Sequence, residues 1–476
     1  TTALSMPAPS SVAKPKAERK AAEPKPQKAP KAPRPAKPDV RTAAPGKAGH
    51  PLWMDVAAIL IALVGLGAGA WYAYQLWFVP TEAPAVVELA GPVDEPQPQL
   101  ERVEPPVVVE AIPSPTPQAE VVEPPKPDQI VPDTHPTIQQ AIASAQPGQV
   151  ILVRAGRYEE SLNLRAGITI EGESPGKVIV VSPSIRNPAL RGLAIENVTI
   201  KNMVFQHPEA DWDESVSTTV VEIQACQRIR FIRCAIQNGN MTGLGINGQA
   251  DVYLEHCEVS NNGASGVELT AASRIRVVAS RLASNQEQGL LAVGPGTVAE
   301  IYHSEATENR QSGAAGADGA TVRVIGSRLQ KNQEAGLFVE LGSPAGPTRA
   351  VVVGSRLQEN DRYGVALQDK AVLEMYGSLV SDNKSNGMLL SEPGSGVRIE
   401  NSSLRANALD GIVIHMLSPE GESPELRIQN NLIEEQGGFG IALLGKRAQP
   451  FVSGNSGQNF KGPMNFQEGA GVRMDE

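Results

Sequence analysis

The chain has 476 residues, 39 of them proline and 45 glycine, and a formal net charge of −10. That acidic balance excludes general nucleic-acid binding, and most of the prolines crowd into residues 1–133, a stretch that cannot build a packed core. The charge is segregated: residues 1–50 carry a net +8, residues 80–133 a net −9, and an uncharged apolar run lies between them.

Residues 1–51 repeat Lys, Pro and Ala, a low-complexity composition that predicts disorder. The arm serves either as a polybasic segment near anionic lipid or as a solvated tether. Val56 to Val79 is 24 residues long and free of charge, with Trp53, Trp71, Tyr72, Tyr74 and Trp77 near its ends. About 20 apolar residues span a bilayer core, and such aromatics favour the membrane interface. Residues 52–79 are therefore expected to be one transmembrane helix, with the membrane as a partner. The Lys-rich side belongs in the cytoplasm, which puts the remainder in the periplasm or outside the cell. Residues 80–133, rich in Pro and Glu, predict an extended, disordered linker.

Residues 134–455 are ordered by a repeat. Thr137 to Ala145 (TIQQAIASA) sets Ile138, Ala141, Ile142 and Ala145 on one helical face, so a short amphipathic helix is expected to cap the open end of the array. Strands are expected at 150–153, 168–171, 178–181 and 195–205. A glycine before an apolar pair then recurs at Gly243, Gly266, Gly289, Gly313, Gly336, Gly364, Gly387, Gly411 and Gly440. The spacing is 23 or 24 residues, broken by one of 28 and one of 29. Four residues before the glycine, at position −4, stand Asn262, Asn285, Asn309, Asn332, Asn360, Asn383 and Asn407. Position −9 holds Cys234, Cys257 and then a run of Ser from Ser280.

Positions −14 and −12, −9 and −7, and +1 and +3 read as three period-2 pairs, hence three short strands per coil with one face inward. One coil cannot bury that face alone, whereas stacked coils share strand hydrogen bonds and a continuous core. Like residues then recur about every 4.8 Å, and the Asn amides can bond each other as an internal ladder. The glycine is expected to supply positive φ at a tight corner. The expected fold is all-β: a single-stranded right-handed parallel β-helix of about twelve coils, about 58 Å long at the strand spacing. Residues 456–476 are expected to be an irregular tail.

Residues 134 to 455 resemble the pectate-lyase-like superfamily of right-handed parallel β-helices, and more narrowly proteins with parallel-β-helix repeats. The segment TIQQAIASAQPGQVILVRAGRYEESLNL is similar to the cap and first coil found there. The resemblance implies the fold but not the activity, because such families include lyases, hydrolases, esterases, epimerases and non-catalytic binders. A paired-Asp element with Gly-His-Gly, an Asp-Pro-His-Asp motif, and clustered Ca²⁺-binding carboxylates with an Arg base are not recognisable. The sequence thus points to a membrane-anchored, non-catalytic module binding polysaccharide or a cell-envelope protein, with no catalytic residue, metal or cofactor expected. One alternative is a polysaccharide-modifying enzyme of this superfamily. Another is the sensor part of a bacterial transmembrane Ser/Thr kinase, which the basic arm, single span and outside domain look like.

Candidate sites are few. The insertion 206–218 holds His207, Glu209, Asp211, Trp212, Asp213 and Glu214. It could bind a cation or stack on a sugar ring, or be a solvated acidic loop. Insertions at 342–349 and 417–425 rise from the same edge. Position +2 should point outward yet is apolar from Leu291 through Phe338, Leu389 and Val413. That stripe is either a partner surface or is covered by the tail. His256 and His303 share position −10 two coils apart, a poor metal pair. Cys234 and Cys257 occupy one register on adjacent coils, which suits either a disulfide or two buried thiols.

Overall fold

The computed structural model describes residues 127–467, apart from 210–214, 217, 342–345, 417 and 419–422, together with residue 471. The basic arm, the expected transmembrane run and most of the acidic linker lie outside the described residues. Among those described, no helix is long and apolar enough to cross a membrane.

The described chain is a parallel β-solenoid of about 13 turns, whose strands form three sheets of 14, 12 and 13 strands, here sheets 1, 2 and 3. One coil shows the path. Gln227–Ile232 lies in sheet 1, Ala235–Gln237 in sheet 2 and Leu244–Asn247 in sheet 3, and Asp251–Glu255 then returns to sheet 1 beside its predecessor. Every strand pairs in parallel with the equivalent strand of the next coil, so the −12 column runs Phe231, Leu254, Val277, Ile301 and Val324 without interruption. These inward residues are fully buried. The two largest fully buried side chains described, Phe205 of sheet 2 and Phe231 of sheet 1, meet edge to face, with ring centroids 6.5 Å apart.

The cap is α1, Ile138–Ser144. Thr137 Oγ1 accepts from the Gln140 N–H, and the Glu160 carboxylate accepts from the N–H groups of Ile138 and Gln139. The free N–H groups of the first turn are thereby satisfied. Ile138, Ala141 and Ile142 are buried against the first coil.

Both ends extend past the expected limits. Gln129–Val131 pairs with Val150–Val153, and Val131 is fully buried, so the solenoid begins inside the segment expected to be linker. Phe451–Ser453 and Met464–Gln467 continue sheets 1 and 3. The described part of the tail therefore adds a coil, and it does not fold back over the apolar stripe. Strands of three or four residues beside Pro and Gly carry too little pattern to be read from sequence.

The role expected of the repeat glycines is also corrected. None has positive φ; the left-handed residues are at −5 (Asn238, Asn261, Ser284, Glu308) and at −10 (Arg233, His256, Ala279, His303). The glycines are small because space is short. A Cβ on Gly266 would lie 2.7 Å from the Gly289 carbonyl oxygen and 2.7 Å from Asn285 Nδ2.

The Asn ladder forms as expected. Each Nδ2 from Asn262 to Asn383 donates to the Oδ1 of the next Asn at 2.9–3.0 Å, and Asn407 hands the ladder to Gln436. A second ladder was not anticipated. Position −9 reads in the sequence as half of an apolar pair, but its side chains accept the backbone N–H of the preceding coil. The Cys257 N–H donates to Ser280 Oγ, that of Ser280 to Ser304 Oγ, and so on to Asn431 and Asn455. The unbroken run of Ser at one register was its signal.

Candidate ligand-binding groove

The sheet 1 to sheet 2 corner is only two residues long, and its first residue, at −10, is left-handed in every coil from Arg233 to Asn430. That conformation turns the chain sharply and leaves a furrow along the outside. Its first part encloses about 780 Å³ and is lined by Arg233, His256, Glu258, Arg281, His303, Glu305 and Arg328. A second part of about 460 Å³ continues at the same positions over Gly354, Arg356, Gly377, Leu379, Asn401 and Ser403. The ladder residues at −9 form the floor.

The charge of the furrow changes along its length. Arg281 lies within 3.5 Å of Glu258 and 3.6 Å of both Glu305 and Glu308, a network on one wall. Arg233 Nε donates to Asn202 Oδ1. Beyond Arg356 the wall becomes Leu379, Ser403 and Leu432, without charge. The imidazole of His303 lies over Gly326, where an added Cβ would approach Nδ1 to 2.6 Å. Ala279 separates His303 from His256 in this register, so the two rings do not form a metal pair. Among the described residues no group of His, Cys, Asp and Glu is placed to hold a metal ion.

Beside the furrow, the outer face of sheet 1 carries Val278, Tyr302, Ile325, Val353 and Tyr376 stacked in register. Val353 is among the most exposed large apolar residues described. This column occupies position −11, which looks irregular when each coil is read alone. Next to it, Glu300 sits between Arg276 and Arg323 at 3.0 and 3.1 Å. Burial opposes its ionised form, but the hydrogen bond from Arg276 and the surrounding arginine charges outweigh that and hold the carboxyl below the usual range.

The sites expected from sequence fare differently. His207 is only 1 % exposed. Its Nδ1 accepts from the Asn240 N–H, while Asn240 Nδ2 donates to the Val216 carbonyl, which pins the base of the insertion to the solenoid wall. Burial pushes the His207 imidazole below its ordinary pKa. Glu209 is exposed, and Asp211, Trp212, Asp213 and Glu214 lie outside the described residues. The far end of the insertion borders a separate hollow of about 350 Å³ on sheet 3, lined by Glu222 and Glu268, with Thr219 packed over Gly245 between them. Glu222 is paired there with Arg191 at 2.8 Å.

The apolar stripe of sheet 3 is in register as expected, from Leu291 through Ala315, Phe338, Ala366 and Leu389 to Val413. It is less open than its position implies. Leu291, Phe338 and Leu389 are half-buried, and Val413 and the alanines between them are buried. Cys226, Cys234 and Cys257 are all free thiols in the structure and all buried.

The family model for a right handed beta helix region matches residues 184–345 and 345–456. The chain belongs to that right-handed β-helix family. No curated protein sequence matches it at a significant level. Solved structures similar to this β-helix include the A-module of mannuronan C-5 epimerase AlgE6 from Azotobacter vinelandii. It is 13 % identical, covers 71 % of this chain and 94 % of its own, and has a TM-score of 0.47. The catalytic domain of a GH87 α-1,3-glucanase is 12 % identical over 77 % of this chain and 70 % of its own, with a TM-score of 0.45. The Dettilon tailspike protein is 12 % identical over 67 % and 62 %, with a TM-score of 0.44. At these identities the likeness is one of fold.

Proposed function

We propose that this β-helix is a membrane-anchored recognition module, displayed outside the cytoplasmic membrane, that binds an extended polysaccharide along the sheet 1–sheet 2 furrow without transforming it. The furrow itself carries the reading: the same corner recurs in every coil, so the surface offers side chains at a regular spacing of about 4.8 Å. A polymer with a short regular repeat can meet such a surface at several places at once. The half-exposed column from Val278 to Tyr376 adds an apolar strip with two tyrosines, which suits the apolar faces of sugar rings. The two carboxylates of the furrow, Glu258 and Glu305, are both engaged by Arg281, which favours binding over acid–base chemistry. The uncharged run 56–79, with basic residues before it, supports anchoring and orientation.

Glycan-array binding of the full chain tests this, with Ser403→Trp to fill the furrow from its solvent side and a parallel depolymerisation assay. The reading expects polysaccharide binding that Ser403→Trp abolishes, with polymer length unchanged. Shortened polymer, or binding indifferent to the substitution, overturns it. For the anchor, the β-helix should be cut by protease added to intact cells, or to spheroplasts, while residues 1–51 stay protected.

A further inference from the structure

Arg328 and Arg356 open two neighbouring strands of sheet 2 that share the sequence Arg-Leu-Gln, and they pair in register. Both side chains are exposed on the furrow wall. Like charges directly opposite each other weaken a sheet. Along this column the sign alternates through Glu258, Arg281, Glu305 and Arg328, and then the alternation breaks at Arg356.

No carboxylate neutralises the pair. Glu305 is the in-register neighbour of Arg328, but its Oε1 accepts from Gln330 at 2.6 Å and its Oε2 faces Arg281. On the other side of Arg356 the neighbour is Leu379. Neither guanidinium has an ion pair or hydrogen bond among the described residues. Elsewhere on the outer surface, Arg191, Arg276, Arg323 and Arg427 each face a carboxylate.

The furrow also opens beside Arg356. The preceding coils carry Arg233, His256, Ala279 and His303 at position −10, whereas these two coils have Gly326, which the His303 imidazole covers, and Gly354. Above Gly354, the direction a side chain would take is empty. A ligand group can therefore approach the backbone at Gly354, beside two guanidinium forks, each able to bind an oxyanion through paired N–H donors.

We propose that Arg328 and Arg356 form a subsite for an oxyanion, carboxylate or sulfate, carried by the saccharide chain in the furrow. This rests on the furrow being the binding surface. Titration calorimetry on the full chain in detergent, with tetragalacturonate, sulfated maltotetraose and maltotetraose at fixed salt, tests it. At least one charged oligosaccharide should bind more tightly than maltotetraose. Arg328→Gln with Arg356→Gln should weaken that binding about tenfold or more, the loss expected when charge-assisted hydrogen bonds are removed. The double Lys variant, which keeps the charge but not the fork, should fall between. An unchanged melting temperature shows that the variants fold.

If maltotetraose binds as tightly as the charged probes, or the double Gln variant binds like the parent while Ser403→Trp does not bind, the subsite is wrong and the furrow reading survives. If none of the three probes binds the parent chain, both are rejected.

Discussion

Asn309 Nδ2 donates to Asn332 Oδ1 at 3.0 Å, and the backbone N–H of Asn309 donates to the same oxygen at 3.1 Å. Both residues are fully buried. The second Nδ2 proton reaches the Leu282 carbonyl at 3.1 Å, and Asn309 Oδ1 in turn accepts the N–H and Nδ2 of Asn285. Every polar atom of the amide is thus used, which a low-dielectric interior requires. Asn309→Ala leaves the Asn285 N–H and one of its Nδ2 protons without an acceptor and should cost about 2–3 kcal/mol. Asn309→Asp should cost more, because a buried carboxylate cannot donate to Asn332 Oδ1 and sets oxygen against oxygen. Urea unfolding, with hydrogen exchange to locate the loss in neighbouring coils, checks both; an Asp variant as stable as the parent would refute the ladder.

Two glycines separate crowding from backbone strain. Gly266→Ala places a Cβ 2.7 Å from the next coil's backbone carbonyl, a contact that only a shift between coils can relieve. It should cost about 2 kcal/mol or more, as overpacking does. Gly377 is left-handed, at φ +54, with open space above it. Gly377→Asn should cost less than about 1 kcal/mol, since Asn tolerates that conformation. A reversed order in thermal melts would return the repeat glycine to a conformational role.

The contrast between those glycines marks what could be read in the sequence. The Asn ladder, the three strands per coil and the α1 cap are periodic or local, so spacing alone reveals them. The crowding at Gly266 is an inter-coil distance, and a one-dimensional repeat shows only that the residue is small. The Ser ladder escaped because Ser280 and its equivalents alternate with inward apolar residues and match a strand's period. The furrow escaped more completely. Arg328, Arg356 and Gly354 lie in two coils, separated by an enlarged repeat, and only the register of sheet 2 brings them together. His207 shows the converse limit: spacing places a histidine among carboxylates but does not reveal that its ring is buried.

Cys234 and Cys257 stand at the start of the Ser ladder, where the Cys234 N–H donates to Cys257 Sγ at 3.5 Å. Burial pushes the Cys234 thiol well up, with Cys257 beside it adding to the effect, which keeps it protonated. Serine fills the next six equivalent positions, so Cys234→Ser with Cys257→Ser should keep the fold, with stability within about 1 kcal/mol of the parent. Losing a disulfide across this loop would instead cost about 2–4 kcal/mol. Thiol titration in denaturant should find three thiols per chain. One thiol, together with a strongly destabilised double variant, would establish the bond.

Asp410 gives a prediction in pH. Burial raises its pKa, and neither the Phe439 N–H that its Oδ1 accepts nor the nearby charge of Lys461 fully compensates. With a folded pKa above the unfolded one, the folded state holds this proton more tightly. The ionised carboxylate therefore works against folding at neutral pH, and that penalty fades as pH falls through the raised value. Asp410→Asn retains an oxygen for the Phe439 N–H and removes the charge. It should melt above the parent at pH 7, with the difference closing below about pH 4, where Asp is protonated in both states. Paired melts from pH 3.5 to pH 8 decide the matter. A difference that does not change with pH, or a variant less stable at pH 7, would mean that the Phe439 bond and Lys461 outweigh burial and that the ionised carboxylate stabilises this corner.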